Sequence, residues 1–261
     1  MAATAPLVYA HRGSSAALPE HTLAAYVRAL EEGADGLECD VRLTRDRHLV
    51  CVHDRRLERT SNGRGRVSAR TLAELDALDF GSWHTGPDGD EPDPDRTRLL
   101  TLDRLLHAVR DAGRDVHLLI ETKHPSRYGS GVERRLMALL RRHGLADPRP
   151  GDPVRVTIMS FSPLAVRRVR ALAPALPTVL LLEMLPPGLR QGRLPFGIRA
   201  AGPGIGLVRA RPALIPALQA AGNQVYVWTV NEPAEVDLVL AHHVDGIITD
   251  RPRYVLDRLG R

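Results

Sequence analysis

The chain has 261 residues, 43% apolar and only 4% aromatic, with two cysteines and a formal net charge of +5. That length bounds one large α/β barrel or two smaller domains; the apolar content excludes disorder, and two cysteines exclude a disulfide scaffold and fit a reducing, cytoplasmic compartment. The positive charge is carried by 35 arginines and one lysine, spread along the chain in short pairs such as Arg134-Arg135, and aromatics are too sparse for stacking on bases, which argues against nucleic acid as partner.

The start of the chain lacks a basic leader region, and no apolar run approaches the roughly 18 residues of a membrane span, so neither a secretory leader nor a span is expected. Residues 7–10 form an apolar run that predicts a first strand ending at His11-Arg12-Gly13. Pro19-Glu20-His21-Thr22 then opens a helix that reaches about Glu32 and is closed by Gly33. Next, Leu37-Glu38-Cys39-Asp40-Val41 alternates acid and apolar residues, which as a strand puts Glu38 and Asp40 on one face. A second β-type run at 49–52 follows too soon for a parallel return, so a hairpin is predicted. With its turn centred on Arg45-Asp46, His53 faces Glu38 on the acids' side, and Cys39 and Cys51 lie on opposite faces as free thiols.

Residues 55–100, rich in Gly, Asp and Pro, read as an insertion with one short helix near 72–78 and a solvated acidic loop at 88–95. From Thr101 helical spacing runs to about 112, followed by strand 116–120, helix 131–143, strand 154–159, helix 163–173 and strand 178–182. Pro186, Pro187 and several glycines predict a long loop or short turn up to Gly204, then strand 205–208, helix 212–221, strand 224–230, helix 233–241, strand 246–248 and a last helix at Pro252. Apart from the hairpin partner, this makes eight strands, each followed by a helix or a place for one. The α/β fold class expected is therefore a (β/α)8 TIM-type barrel with a small insertion after the second barrel strand, residues 1–261 forming a single domain. An open doubly wound sheet is the rival, and the single glycine in His11-Arg12-Gly13-Ser14-Ser15 speaks against it.

In such a barrel, polar residues at the carboxyl ends of strands converge on one mouth. Those ends carry His11 and Arg12, Glu38 and Asp40, Glu121 and Lys123, Ser160-Phe161, Glu183, Trp228 with Asn231, and Thr249-Asp250. Glu38, Asp40 and Glu121 are hard oxygen donors, and no Cys-x-x-Cys or His-x-His spacing accompanies them, so the ion implied is Mg²⁺ or Ca²⁺ rather than Zn²⁺. Arg12 and Lys123 supply the charge that grips phosphate oxygens. His11 and His53 suit one base and one acid for displacement at phosphorus. The other histidines carry no comparable context.

The stretches holding these residues are His11-Arg12-Gly13 with Pro19-Glu20-His21-Thr22, Gly33-Ala34-Asp35 leading to Glu38-x-Asp40-Val41, and Thr44-x-Asp46. They continue with His53-Asp54-x-x-Leu57-x-Arg59-Thr60, Gly63-x-Gly65, Glu121-x-Lys123, Ser160-Phe161, Val227-Trp228-Thr229-Val230-Asn231 and Asp245-Gly246-Ile247-Ile248-Thr249-Asp250. In this order, over nearly the whole chain, the sequence resembles the glycerophosphodiester phosphodiesterases. The resemblance implies a TIM-type barrel, one divalent cation, and hydrolysis of small-molecule glycerophosphodiesters to sn-glycerol 3-phosphate and an alcohol, in glycerol and lipid metabolism. By motif position His11 and His53 resemble the acid/base pair, Glu38, Asp40 and Glu121 the metal ligands, Arg12 and Lys123 the phosphate clamps, and Trp228 a wall for the glycerol or alcohol moiety.

Two departures stand out: His21 where the family usually has Asn, expected to alter contacts with Glu20, and Leu100-Thr101-Leu102 where Pro-Thr-Leu is common, expected to touch only the entry to a helix. The rival functions are a phospholipase D-like or cyclising phosphodiesterase on the same scaffold, and a non-catalytic phosphate-ligand binding protein. Neither the alcohol nor the nucleophile is written in the sequence.

Overall fold

The computed structural model describes residues 5–84, 93–185 and 192–261. β1 (Leu7–His11) and α1 (Leu23–Glu31) lead into β2 (Gly36–Leu43) and β3 (Leu49–Cys51), followed by two short helices, α2 (Leu72–Asp76) and α3 (Pro94–Thr97). Then come α4 (Leu102–Asp111), β4 (Val116–Thr122), α5 (Gly131–Arg142), β5 (Val154–Ser160), α6 (Pro163–Leu172), β6 (Thr178–Leu182) and β7 (Ala200–Pro203). The series ends with α7 (Ile205–Ala210), α8 (Leu214–Ala220), β8 (Gln224–Val227), α9 (Pro233–Ala241), β9 (Gly246–Thr249) and α10 (Pro252–Arg258). None of the helices among the described residues is long and apolar enough to cross a membrane.

Every barrel strand pairs in parallel with its neighbours, and β1 joins both β2 and β9, so the eight strands close on themselves. β3 continues past the end of β1 as an antiparallel partner of the far half of β2. All seven residues of β4 are buried because both of its faces are covered. One set of alternate residues, including Leu118 and Ile120, packs outward against α1, α4 and α5; the other, including Leu119, fills the barrel with Tyr9, Met159, Val179, Leu181 and Tyr226. Two of these fillers need space made by a neighbouring strand. Tyr9 stands beside Gly36 and Tyr226 beside Gly246, where a Cβ would lie 2.6 and 2.5 Å from the ring carbons.

Helix starts follow local chemistry. Thr22, Thr101 and Ser162 accept from backbone N–H groups of the first turns of α1, α4 and α6, and proline opens α6, α9 and α10. Thr101 caps α4 with Leu100 before it, but Leu100 reaches beyond the helix entry: its side chain lies in the core and its carbonyl accepts from Cys51 N. Between β3 and α4 a small separate cluster of Val50, Val52, Leu57, Val67, Leu75, Phe80 and Leu99 covers the outer side of the hairpin. Of the acidic stretch 88–95, only the part from Asp93, which caps α3, lies within the described residues.

Two expectations are corrected. Residues 205–208 are not a strand but the first turns of α7, and the seventh barrel strand is Ala200–Pro203. A four-residue apolar run does not separate the two periods, whereas the true strand has almost no side chains to signal it. Its smallness is required: a Cβ on Gly202 would come within 2.6 Å of Leu181 Cδ2. Pro186 and Pro187, where a loop was expected, lie outside the described residues.

The hairpin register is also shifted by one: Val41 faces Cys51, and Val52 N donates to Asp40 O. The cause is a three-residue turn in which Thr44 N donates to His48 O and Arg47 takes φ 66°. Cys39 and Cys51 consequently share one face, buried as free thiols. His53 lies beyond β3, so it is the loop, not the strand ladder, that carries it to the mouth.

Candidate active site

Glu38 and Asp40 sit two apart on the barrel-facing side of β2, and Glu121 is the register partner of Asp40 on β4. All three are buried, and one oxygen of each lies within 4.8 Å of the others. Like charges directly opposite on neighbouring strands repel, and burial removes the water that would screen them. Burial, and then the Asp40 charge, accordingly push Glu38 well above the usual carboxylate range and Glu121 up to about 8. Asp40 goes the other way: although burial opposes it, Lys123, Arg12 and His21 hold it well below the usual value. Lys123 Nζ lies 3.0 Å from Glu121 Oε1 and 3.3 Å from Asp40 Oδ1, and Arg12 Nε lies 3.0 Å from Asp40 Oδ2. A donor set of three buried carboxylates that cannot all ionise unaided fits a hard divalent cation.

The two histidines reach the cleft from different elements, each held at Nδ1 by a carboxylate. His11 ends β1 and meets Asp250 Oδ1 at 2.6 Å. Asp250 is itself fixed by Asn231 Nδ2 at 2.6 Å and by the Ser15 hydroxyl at 2.9 Å. Burial opposes its ionisation, yet the bonds from His11, Asn231 and Ser15 bring it down to about 2. His53 Nδ1 meets Asp54 Oδ1 at 2.6 Å, and Arg42 donates twice to the His53 carbonyl. Burial dominates at His53 and, with the charges of Arg12 and Lys123, lowers it to about 4, only partly offset by the charge of Asp40 and the hydrogen bond to Asp54. This differs from the neutral-range titration expected of the free side chain. In both pairs the carboxylate accepts from Nδ1–H, which leaves Nε2 as the free ring nitrogen.

A chain of charges joins the two sides. Arg12 Nη1 donates to Glu20 Oε1 at 3.1 Å, Arg59 grips both oxygens of Glu20 at 2.7 and 2.8 Å, and Arg59 Nε donates to Asp54 Oδ2 at 2.6 Å. His21 does not join it through Glu20, as its position suggested. Its buried ring instead spans Tyr26 OH at 2.8 Å and Asp40 Oδ2 at 3.0 Å.

Across the mouth stands Trp228, its Nε1 donating to Gly202 O at 2.6 Å, edge to face with Phe161. The cleft enclosed has a volume of about 260 Å³ and is lined by His11, Arg12, Glu38, His53, Glu121, Lys123 and Trp228, and also by Phe161, Glu183, Met159, Leu181 and Ile248. All eight residues singled out from the sequence for this site are thus gathered at one mouth. Reasoning from sequence quoted Glu20, Asp54, Arg59, Asn231 and Asp250 within the family stretches but gave none of them a role in holding the site. The adjacency of Asp54 to His53 was the one local signal available.

Comparison with known proteins agrees with this architecture. A model of the glycerophosphoryl diester phosphodiesterase family matches residues 11–254. A Mycobacterium tuberculosis protein named "Probable glycerophosphodiester phosphodiesterase 1" is 51% identical over 95% of this chain and 90% of its own, and a glycerophosphodiester phosphodiesterase of Bacillus subtilis is 34% identical over 94% and 84%. Among solved structures, a glycerophosphodiester phosphodiesterase from Agrobacterium tumefaciens superposes with a TM-score of 0.73 at 26% identity, over 96% of this chain and 99% of that one. An Oleispira antarctica phosphodiesterase in complex with the product sn-glycerol-3-phosphate shares the fold, with a TM-score of 0.82 at 24% identity over 98% of both chains. The chain belongs to the glycerophosphoryl diester phosphodiesterase family.

Proposed function

We propose that this protein hydrolyses glycerophosphodiesters to sn-glycerol 3-phosphate and an alcohol, by acid/base catalysis between His53 and His11. The observation that carries this reading is the pairing of two carboxylate-held histidines across one cleft that also contains two cations and three clustered acids. His53, lowered to about 4, is neutral near pH 7 and free at Nε2 to take a proton from the attacking water. In its doubly protonated form, with Nδ1–H held by Asp250, His11 delivers the proton of Nε2 to the oxygen of the departing alcohol and is left neutral. The P–O bond to water forms as the P–O bond to the alcohol breaks. Arg12 and Lys123 hold the phosphate oxygens, and Trp228 walls the organic part of the substrate.

Glu38, Asp40 and Glu121 are the residues that would hold one divalent cation, Mg²⁺ or Ca²⁺. Such an ion supplies neutralisation of charge developing on the phosphoryl oxygens. In our reading the whole chain works as one unit, with 55–100 as an insertion that belongs to the site, because Arg59 from that segment ties Asp54 to Glu20. Two free buried thiols support the cytoplasm as its place of work.

The test is product analysis by phosphorus NMR with glycerophosphocholine as substrate. Equimolar sn-glycerol 3-phosphate and choline are expected. Accumulation of a cyclic phosphate would replace water by the substrate's own hydroxyl as nucleophile, and binding without turnover would remove the enzymatic reading altogether.

A further inference from the structure

On the outside of the barrel, α4 and α5 pack over β4, and the polar residues where they meet form a cluster that phosphodiester chemistry does not use. Asp103 stands in the first turn of α4, His107 one turn further along it, and His143 is the residue that ends α5. Each offers one nitrogen or oxygen, and these three atoms lie within 4.8 Å of one another. None of the three residues lines the catalytic cleft.

A spacing of four puts Asp103 and His107 on one face of α4, so that helix supplies two donors and α5 the third. His143 Nε2 stands 2.8 Å from Asp103 Oδ1, and the rings of His107 and His143 meet edge to face with centroids 5.0 Å apart. The backbone of His143 is pinned at both ends: its N–H donates to Leu139 O, and its carbonyl accepts from Arg110 Nη2 at 2.8 Å. Its side chain is only 7% exposed, whereas Asp103 and His107 face solvent, which gives an ion a way in and a fixed ligand to meet. Among the described residues neither ring nitrogen of His107 is hydrogen-bonded. The bond from His143 holds Asp103 below the usual carboxylate range, against a small opposing effect of burial.

Two imidazole nitrogens and one carboxylate oxygen are a donor set different in kind from the three carboxylates at the mouth. Mg²⁺ and Ca²⁺ take oxygen ligands, whereas mixed nitrogen and oxygen donors suit zinc. We propose that Asp103, His107 and His143 form a second metal site, outside the catalytic centre, which takes Zn²⁺ and clamps the helix before β4 to the helix after it. With zinc–ligand bonds of about 2.0 Å, tetrahedral ligand atoms stand about 3.3 Å apart, so Asp103 and His143 have to separate by only about 0.5 Å. The ion replaces the proton between Asp103 and His143 Nε2, which is released to solvent, and a water completes the coordination. Arg142, whose Nη2 lies 4.0 Å from Asp103 Oδ1, belongs to an exposed side chain that yields its place to the ion.

The experiment titrates Zn²⁺ calorimetrically, in saturating MgCl₂, into the wild type, His107→Ala and Asp103→Asn, both substitutions at exposed positions. The wild type is expected to bind one equivalent that each variant binds at least tenfold more weakly, and to gain more in Tm from Zn²⁺ than either variant does. Any Zn²⁺ that enters the carboxylate cluster is common to all three proteins and drops out of the comparison. A zinc-soaked wild-type crystal, measured on both sides of the zinc absorption edge, is expected to show an anomalous peak between Asp103, His107 and His143. Equal Zn²⁺ binding and an equal rise in Tm in the three proteins, or no peak at this position, would overturn the site and leave a hydrogen-bonded contact between two helices.

Discussion

His11 and Asp250 meet at 2.6 Å across the seam where the first barrel strand closes on the last. Asp250 accepts from Nδ1–H of His11 and so sets the direction in which Nε2, the nitrogen left for the substrate, points. Asp250→Asn keeps the size of the side chain but offers a donor as readily as an acceptor. We expect kcat to fall by about 10²-fold or more with KM changed little, the pattern of a lost transition-state interaction. Wild-type kcat in this variant, with circular dichroism showing an intact fold, would mean that Ser15 and the strand end suffice to aim the ring.

Lys123 is the single lysine among 36 cationic side chains, and its ammonium is wedged between Asp40 and Glu121. A guanidinium there brings a broad planar fork into a space that also has to admit a cation. Lys123→Arg is expected to keep the charge yet lose at least tenfold in kcat/KM, about 1.4 kcal/mol of transition-state binding. Steady-state kinetics at saturating metal decide the point. Unchanged kinetics would reduce this position to a requirement for charge alone.

The cluster of Glu38, Asp40 and Glu121 predicts dependence on a divalent cation. Removal of the ion by a chelator is expected to abolish turnover, with Mg²⁺ or Ca²⁺ restoring it. Because the ion relieves repulsion among buried carboxylates, it is also expected to raise Tm by several degrees, consistent with a linkage of about 1–3 kcal/mol at saturating ion. Full activity after exhaustive chelation would remove the ion from the reaction.

Two side-chain layers below Glu121, at the end of the barrel away from the mouth, His117 bridges Tyr9 OH at 2.7 Å and Thr157 Oγ1 at 2.8 Å. Burial lowers it to about 4, so the folded protein resists taking up a proton that the unfolded chain accepts from about pH 6.5 downward. The stability present above pH 6.5 is therefore lost as pH falls towards 4, by an amount of order 3 kcal/mol. His117→Gln, which does not titrate, is expected to be less stable than the wild type at pH 7 but to show a flatter decline. Urea denaturation at pH 7, 5.5 and 4.5 measures both slopes, and parallel slopes would place the acid sensitivity elsewhere.

How much of this was legible from sequence depended on where the information lay. Strands such as β4 and helices such as α4 announce themselves by apolar runs and spacing, because their burial is set by local pattern. β7 does not, since Leu181 leaves room only for small residues opposite it. The hairpin register was misread because the left-handed position of its turn is held by Arg47, with no glycine to mark it. His53 does reach the site, but by the loop after β3 and not by strand pairing with Glu38. Asp250 and Glu20 hold the site through contacts that join distant parts of the chain, 239 positions apart for His11 and Asp250 and 39 for Glu20 and Arg59. No window of neighbouring residues contains that information.

The closure of β1 on β9 also sets when the protein becomes competent during its synthesis. Domains emerge from the ribosome amino end first, and here the carboxylate cluster, Lys123 and His53 are all made well before the partner of His11. A nascent or proteolysed chain ending short of Asp250 would own most of the machinery but could neither seal the ring nor aim its acid. Catalytic output therefore reports that the two extremes of the barrel have met.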